Sequence, residues 1–132
     1  MIKLPRTEFI VMKYIWQRYK IGEKVPSKDI IGNIAKENKW TNGTVGKLFS
    51  RLVKKGFLQE EKEGRNTIYY ILIDKEDYVE FETKDFLDNM YDNSINSLFT
   101  CLNKIKKSDT QKENDDYDYL KNLIDNFDED ED

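Results

Sequence analysis

A chain of 132 residues, 36% charged and 38% hydrophobic, fits one modest domain plus an oligomerising segment; no apolar run nears the ~20 residues of a membrane span and no signal-peptide pattern opens it, so a cytoplasmic location without membrane insertion is expected. One cysteine and no histidine exclude an internal disulfide, zinc fingers, Cys–His nucleophile pairs and histidine metal cages, so neither metal nor cofactor is expected. The formal charge of −4 divides into +8 over residues 1–72 (15 Lys/Arg against 7 Asp/Glu) and −12 over residues 73–132 (7 against 19), an asymmetry that points only the first half at a polyanion.

The stretch "PRTEFIVMKYIWQRYK" predicts a first helix, with Thr7 as N-cap and Glu8 as a first-turn carboxylate. Phe9, Met12, Trp16 and Tyr19 repeat at helical spacing with Ile15 beside them, and the helix should stop near Gly22. "VPSKDIIGNIAKEN" restarts with Ser27 as cap and turns Ile30, Ile31 and Ile34 inward. Thr41 then caps a third helix, "NGTVGKLFSRLVKKGFL". At 100° per residue its Val45, Leu48, Phe49 and Leu52 fall on one side. Gly43, Lys47, Ser50 and Lys54 fall opposite, flanked by Thr44 and Arg51.

After Gly56 the period changes from helix to strand. "FLQEEK" and "NTIYYILI" are joined by a short turn containing "EGRN". Three short helices followed by a β-hairpin is the order of a winged helix-turn-helix, in which the third helix enters the DNA major groove and the wing reaches the flanking backbone or minor groove. From Lys75 onward the chain reads as helix, without Pro or Gly. Ile95, Leu98, Leu102 and Ile105 form one narrow stripe, and Leu120, Ile124 and Phe127 form another with Tyr117; such stripes suit a dimer seam. The expected fold is therefore mainly α with a small β-hairpin wing. Residues 1–73 would be a winged-helix DNA-binding domain, 74–127 a helical dimerisation region and 128–132 a solvated acidic tail.

Lys47, Arg51, Lys54 and Lys55 can neutralise phosphates, while Asn42 and Thr44 are short enough to reach base edges near the helix start. Thr41, Ser27 and Lys28, at the two helix starts, join this candidate DNA-contacting set. Arg65 joins it from the wing tip, although Glu60, Glu61 and Glu63 beside it would repel DNA. Gly43 and Gly46 each cost roughly 1 kcal/mol of helix stability relative to alanine. A close approach to a sugar-phosphate surface would justify that cost, and ordinary sequence drift would also account for it. No nucleophile–base pair stands out, so no enzyme is expected. Cys101, with Leu98, Leu102 and Ile105 as helical neighbours, reads as a small buried hydrophobe.

These segments together resemble the penicillinase and methicillin-resistance repressors (BlaI/MecI type, with copper-responsive CopY-type relatives). "TEFIVMKYIW" is similar to that family's opening pattern, "TNGTVGKLFSRLVKKGFL" to its recognition helix, "GRNTIYY" to its wing and "FLDNMYDNSINSLF" to its first dimerisation segment. The resemblance implies a homodimeric repressor on a palindromic operator. For penicillinase-type members it also implies inactivation by a membrane sensor-protease pathway that cuts after an Asn-Phe pair. Cys101 and Leu102 stand at the matching positions, and the paired C-terminal cysteines of the copper-responsive branch are absent. The expected function is a dimeric, operator-binding transcriptional repressor in β-lactam-resistance-type regulation. The alternative is a winged-helix protein-interaction module whose acidic helical half binds a protein partner.

Overall fold

Pro5, at φ −59° with an extended ψ of 158°, leads into helix α1 (Arg6–Arg18), and the Phe9 N–H already donates to the Pro5 carbonyl at 2.9 Å. Helix therefore begins before Thr7, which is its second residue and not the expected cap. The structure, a computed structural model, describes residues 1–107. Along α1 the innermost line is Glu8, Val11, Met12 and Ile15, while Phe9, Trp16 and Tyr19 are only partly buried. The helix ends at Arg18, ahead of the expected stop, and Gly22 takes φ +93° in the turn beyond.

Val25–Pro26 forms a strand, β1, that the sequence did not announce; two residues are too few to show a period. It lies at the edge of the sheet, where proline is tolerated. Pairing of Pro26 with Ile68 accompanies an extended backbone at Pro26 (φ −75°, ψ 128°). Helix α2 (Ser27–Asn38) starts directly after it, so Ser27 is the first helical residue and not the expected cap. Ile30, Ile34 and Ala35 of α2 are buried and Ile31 is partly so. Helix α3 (Asn42–Lys54) packs against both α1 and α2.

Strands β2 (Leu58–Glu63) and β3 (Asn66–Ile71) pair antiparallel from Leu58↔Ile71 to Glu63↔Asn66, which leaves Gly64 and Arg65 as a two-residue turn. Gly64, at φ +65°, supplies the positive φ that such a turn needs at its first central position. The sheet order is β1-β3-β2. Helix α4 (Lys75–Tyr91) contributes its opening turns to a first compact unit, Met1–Phe81. Tyr78 is fully buried there, and its hydroxyl accepts a hydrogen bond from the Leu4 N–H at 2.8 Å. Its ring centroid lies 6.0 Å from Phe9, 5.7 Å from Trp16 and 5.4 Å from Phe57. Trp16 Nε1 donates to the Ile73 carbonyl at 3.0 Å, fixing the chain just before α4.

The second unit begins at Glu82. Helix does not run unbroken here: Asp92 and Asn93 adopt φ 49° and 62°, a region these two residues tolerate better than most. Ser94 then caps helix α5 (Ile95–Lys106), accepting from the Ser97 N–H at 3.1 Å. Ile95, Leu98 and Leu102 are half-buried, Ile105 is 53% exposed, and no α5 residue is fully buried. Cys101 is half-buried rather than enclosed. The neighbouring Cys101 thiol, and after it desolvation, holds the Tyr91 phenol above its ordinary pKa. Leu120, Ile124, Phe127 and the acidic tail lie outside the described residues. The observed class is the expected one: helices with a small antiparallel sheet whose hairpin forms a wing.

Candidate nucleic-acid interface

α3 has two faces because its sequence has two. Val45, Leu48, Phe49 and Leu52 are buried, the four residues that the helical period selects. Phe49 packs its ring against Tyr69 of β3 at 4.8 Å, so the helix is seated on the sheet as well as on α1 and α2. Burial is the first cause of the raised pKa of the Tyr69 phenol, with the nearby Glu60 carboxylate second. The start of α3 is fixed by Thr41, whose Oγ1 accepts from the Thr44 N–H at 3.1 Å and lies 2.9 Å from Thr44 Oγ1. This is the expected cap.

The opposite face is open. Thr41, Asn42, Gly43, Thr44, Lys47, Ser50, Arg51 and Lys54 are all exposed. None of Lys47, Arg51 and Lys54 takes part in an ion pair among the described residues, so their charges face solvent. A Cβ on Gly43 would meet only Thr41 Oγ1, at 3.9 Å, and one on Gly46 would meet nothing within 4 Å. Packing inside the chain thus gives no reason for either glycine.

Lys55 is placed differently from its three basic neighbours. Its Nζ lies 2.6 Å from Glu8 Oε1, with the Glu8 side chain only 2% exposed and that of Lys55 25%. The first turn of α1 is thereby tied to the residue that ends α3. Sequence spacing held a signal for this: Glu8 sits four residues before Met12 and seven before Ile15, on the apolar line of α1 rather than its wet side.

The wing carries Arg65 at its exposed tip. Ser27 and Lys28 stand at the start of α2 and share an open hollow with Glu63, Asn66 and Thr67 of the wing. The acidic character of β2 is partly offset within the chain. Lys24 Nζ lies 2.8 Å from Glu63 Oε2, and that hydrogen bond is the main cause of the raised Lys24 pKa. Both partners are more than half exposed, so the pair adds little stability, but it removes one negative charge beside Arg65. Lys62 Nζ donates to Thr67 Oγ1 at 2.8 Å across the hairpin. Lys24 was missed in the sequence because only the folded hairpin brings it to Glu63.

Among the described residues there is no group of three side chains that could hold a metal ion, and no helix long and apolar enough to cross a membrane. A sheet-seated helix with an open basic face, followed by a wing, is an arrangement for docking on a charged surface. A family model described as penicillinase repressor matches residues 4–126. The chain belongs to the penicillinase repressor family. Among its relatives in that family, the penicillinase repressor of Bacillus licheniformis is 35% identical over 101 residues, covering 74% of this chain and 76% of the relative. The methicillin resistance regulatory protein MecI of Staphylococcus aureus (strain N315) is 29% identical over 122 residues, covering 92% and 93%. The solution structure of the DNA-binding domain of the repressor BlaI is similar with a TM-score of 0.50 and 33% identity, over 58% of this chain and 88% of that one.

Proposed function

We propose that this family member is a transcriptional repressor that binds operator DNA as a homodimer in the cytoplasm. The observation that carries the proposal is the division of α3: one side fixed in the core, the other presenting Lys47, Arg51 and Lys54 with no internal ion pair among the described residues. In this role α3 enters the major groove, Lys47, Arg51 and Lys54 meet phosphates, and Asn42 and Thr44 reach base edges. Ser27, Lys28 and the Thr41 cap border the groove, and Arg65 of the wing tip meets the flanking backbone. Repression is steric, because an occupied operator overlapping a promoter excludes the polymerase. The family is one of repressors, and no enzymatic role is proposed.

The dimer seam is assigned to the second half, from the α5 stripe of Ile95, Leu98, Leu102 and Ile105 through Leu120, Ile124 and Phe127. The absence of any fully buried residue on α5 supports this assignment, since an apolar stripe is stabilised by removing it from water. Protection mapping on the promoter region of the protein's own gene tests the whole proposal. Two protected half-sites, related by a two-fold and separated by whole helical turns, are expected. A protein that protects no DNA but captures a partner through residues 73–132 would be an interaction module instead.

Repression would end by proteolysis between Cys101 and Leu102, through a membrane sensor-protease pathway of the kind the resemblance implies. That bond lies inside α5, and a protease takes extended chain, so cutting requires α5 to open locally. The cut separates Ile95 and Leu98 from Leu102 and Ile105, leaving each piece half of the stripe. Mass spectrometry of protein recovered from induced cells is expected to show a fragment ending at Cys101. Full-length chains throughout derepression would remove the cleavage step and leave the repressor standing.

A further inference from the structure

The buried carboxylate of Glu8 is the feature that a DNA-docking role leaves without a task. Glu8 lines an open hollow of about 540 Å³ together with Ile2 and with Arg51, Lys54 and Lys55. A lone carboxylate facing the cations of a DNA-binding helix would weaken phosphate binding there. Its charge is instead matched by Lys55 at 2.6 Å, an ammonium that the sequence alone groups with the phosphate contacts. We propose that Glu8 is a positioning and charge-setting residue of the DNA interface: it withholds Lys55 from the phosphates and anchors the end of α3 to α1.

Three observations support this, resting on the DNA-binding role proposed above. The pair is specific, because Lys55 bonds Glu8 while Lys47, Arg51 and Lys54 enter no ion pair among the described residues. It is also partly desolvated, with the Glu8 side chain 2% exposed, so water screens it less than it would an exposed pair. Finally, it sits where position matters, since the Lys55 N–H donates to the Arg51 carbonyl at 2.9 Å and so continues the last turn of α3. Holding the side chain of Lys55 on α1 fixes the turn from which Arg51 and Lys54 project. The phosphate-contacting set at this end of the helix is then Arg51 and Lys54 alone.

Salt titration of full-length variants on one mixed-sequence 30-bp duplex reads the number of phosphates neutralised. Lys54→Gln is expected to flatten the log–log slope by about 0.9 for each protomer bound. The neutral pair Glu8→Gln with Lys55→Met strands no buried charge, and it is expected to keep the wild-type slope. Glu8→Gln alone releases Lys55, so its slope should steepen by about 0.9 per protomer and its affinity rise roughly fivefold to tenfold near 0.1 M salt. A neutral pair whose slope flattens as that of Lys54→Gln does would make Lys55 a phosphate contact and overturn the proposal. So would a Glu8→Gln variant that keeps both slope and affinity of the wild type. A wild-type protein whose binding is indifferent to salt and to Lys54→Gln would instead remove the DNA-binding role itself.

Discussion

A fragment ending at Tyr91 is expected to fold, to sediment as a monomer and to bind its full operator about 10² to 10⁴ times more weakly than the whole chain. It retains the first unit, Met1–Phe81, with the complete basic face of α3 and the wing, so its affinity for an isolated half-site should be unchanged. It lacks α5 and everything after it, and with them the proposed seam. The loss is one of effective concentration: a second half-site is occupied easily only when the second domain is already tethered nearby. Sedimentation together with titration of one and two half-sites checks this. A fragment that remained dimeric, or bound both probes as the full chain does, would move the seam out of the α5 region.

Tyr78→Ala is expected to destabilise the winged body by about 3–5 kcal/mol, the usual cost of emptying a large aromatic site. Tyr78 is fully buried among Phe9, Trp16, Phe57 and Phe81, and its hydroxyl takes the buried Leu4 N–H at 2.8 Å. Tyr78→Phe keeps the ring and loses the hydroxyl that accepts from the Leu4 N–H, for which about 1–3 kcal/mol is expected, since that buried N–H is left unsatisfied. Urea unfolding followed by tryptophan fluorescence reports both variants, because Trp16 lies 5.7 Å from the Tyr78 ring. For the same reason a fragment ending at Ile73 should be far less stable than one ending at Tyr91. An alanine variant as stable as the parent would show that α4 is not part of this core.

The sequence made α3 legible because burial and helical period coincide there. Val45, Leu48, Phe49 and Leu52 are buried, and Thr41 caps as expected. The hairpin was legible for a similar reason, since glycine at the turn and β-rich flanks both act locally. What was missed depends on tertiary pairing. β1 exists because Val25 and Pro26 find Tyr69 and Ile68, more than forty positions on, and nothing in two residues announces that. The same pairing displaced Ser27 from its expected capping position. Lys55 looked like its basic neighbours because its carboxylate partner lies 47 positions earlier in the chain. The break between α4 and α5 was visible in retrospect: "YDNSINS" holds two residues that tolerate positive φ, followed by a serine cap. An absence of Pro and Gly does not by itself make a continuous helix.

The claim that the open face of α3 meets DNA is tested most directly by the salt dependence of operator binding, measured for the full-length protein and for Arg51→Gln/Lys54→Gln. Lys47, Arg51, Lys54 and Arg65 from each protomer would neutralise about eight phosphates, which sets a log–log slope near −7. Removing two charges per protomer should flatten it by roughly 3 to 4 and weaken binding to operator and random DNA alike. A variant with the parent's slope and affinity would contradict the account and leave the basic face of α3 as solvated surface.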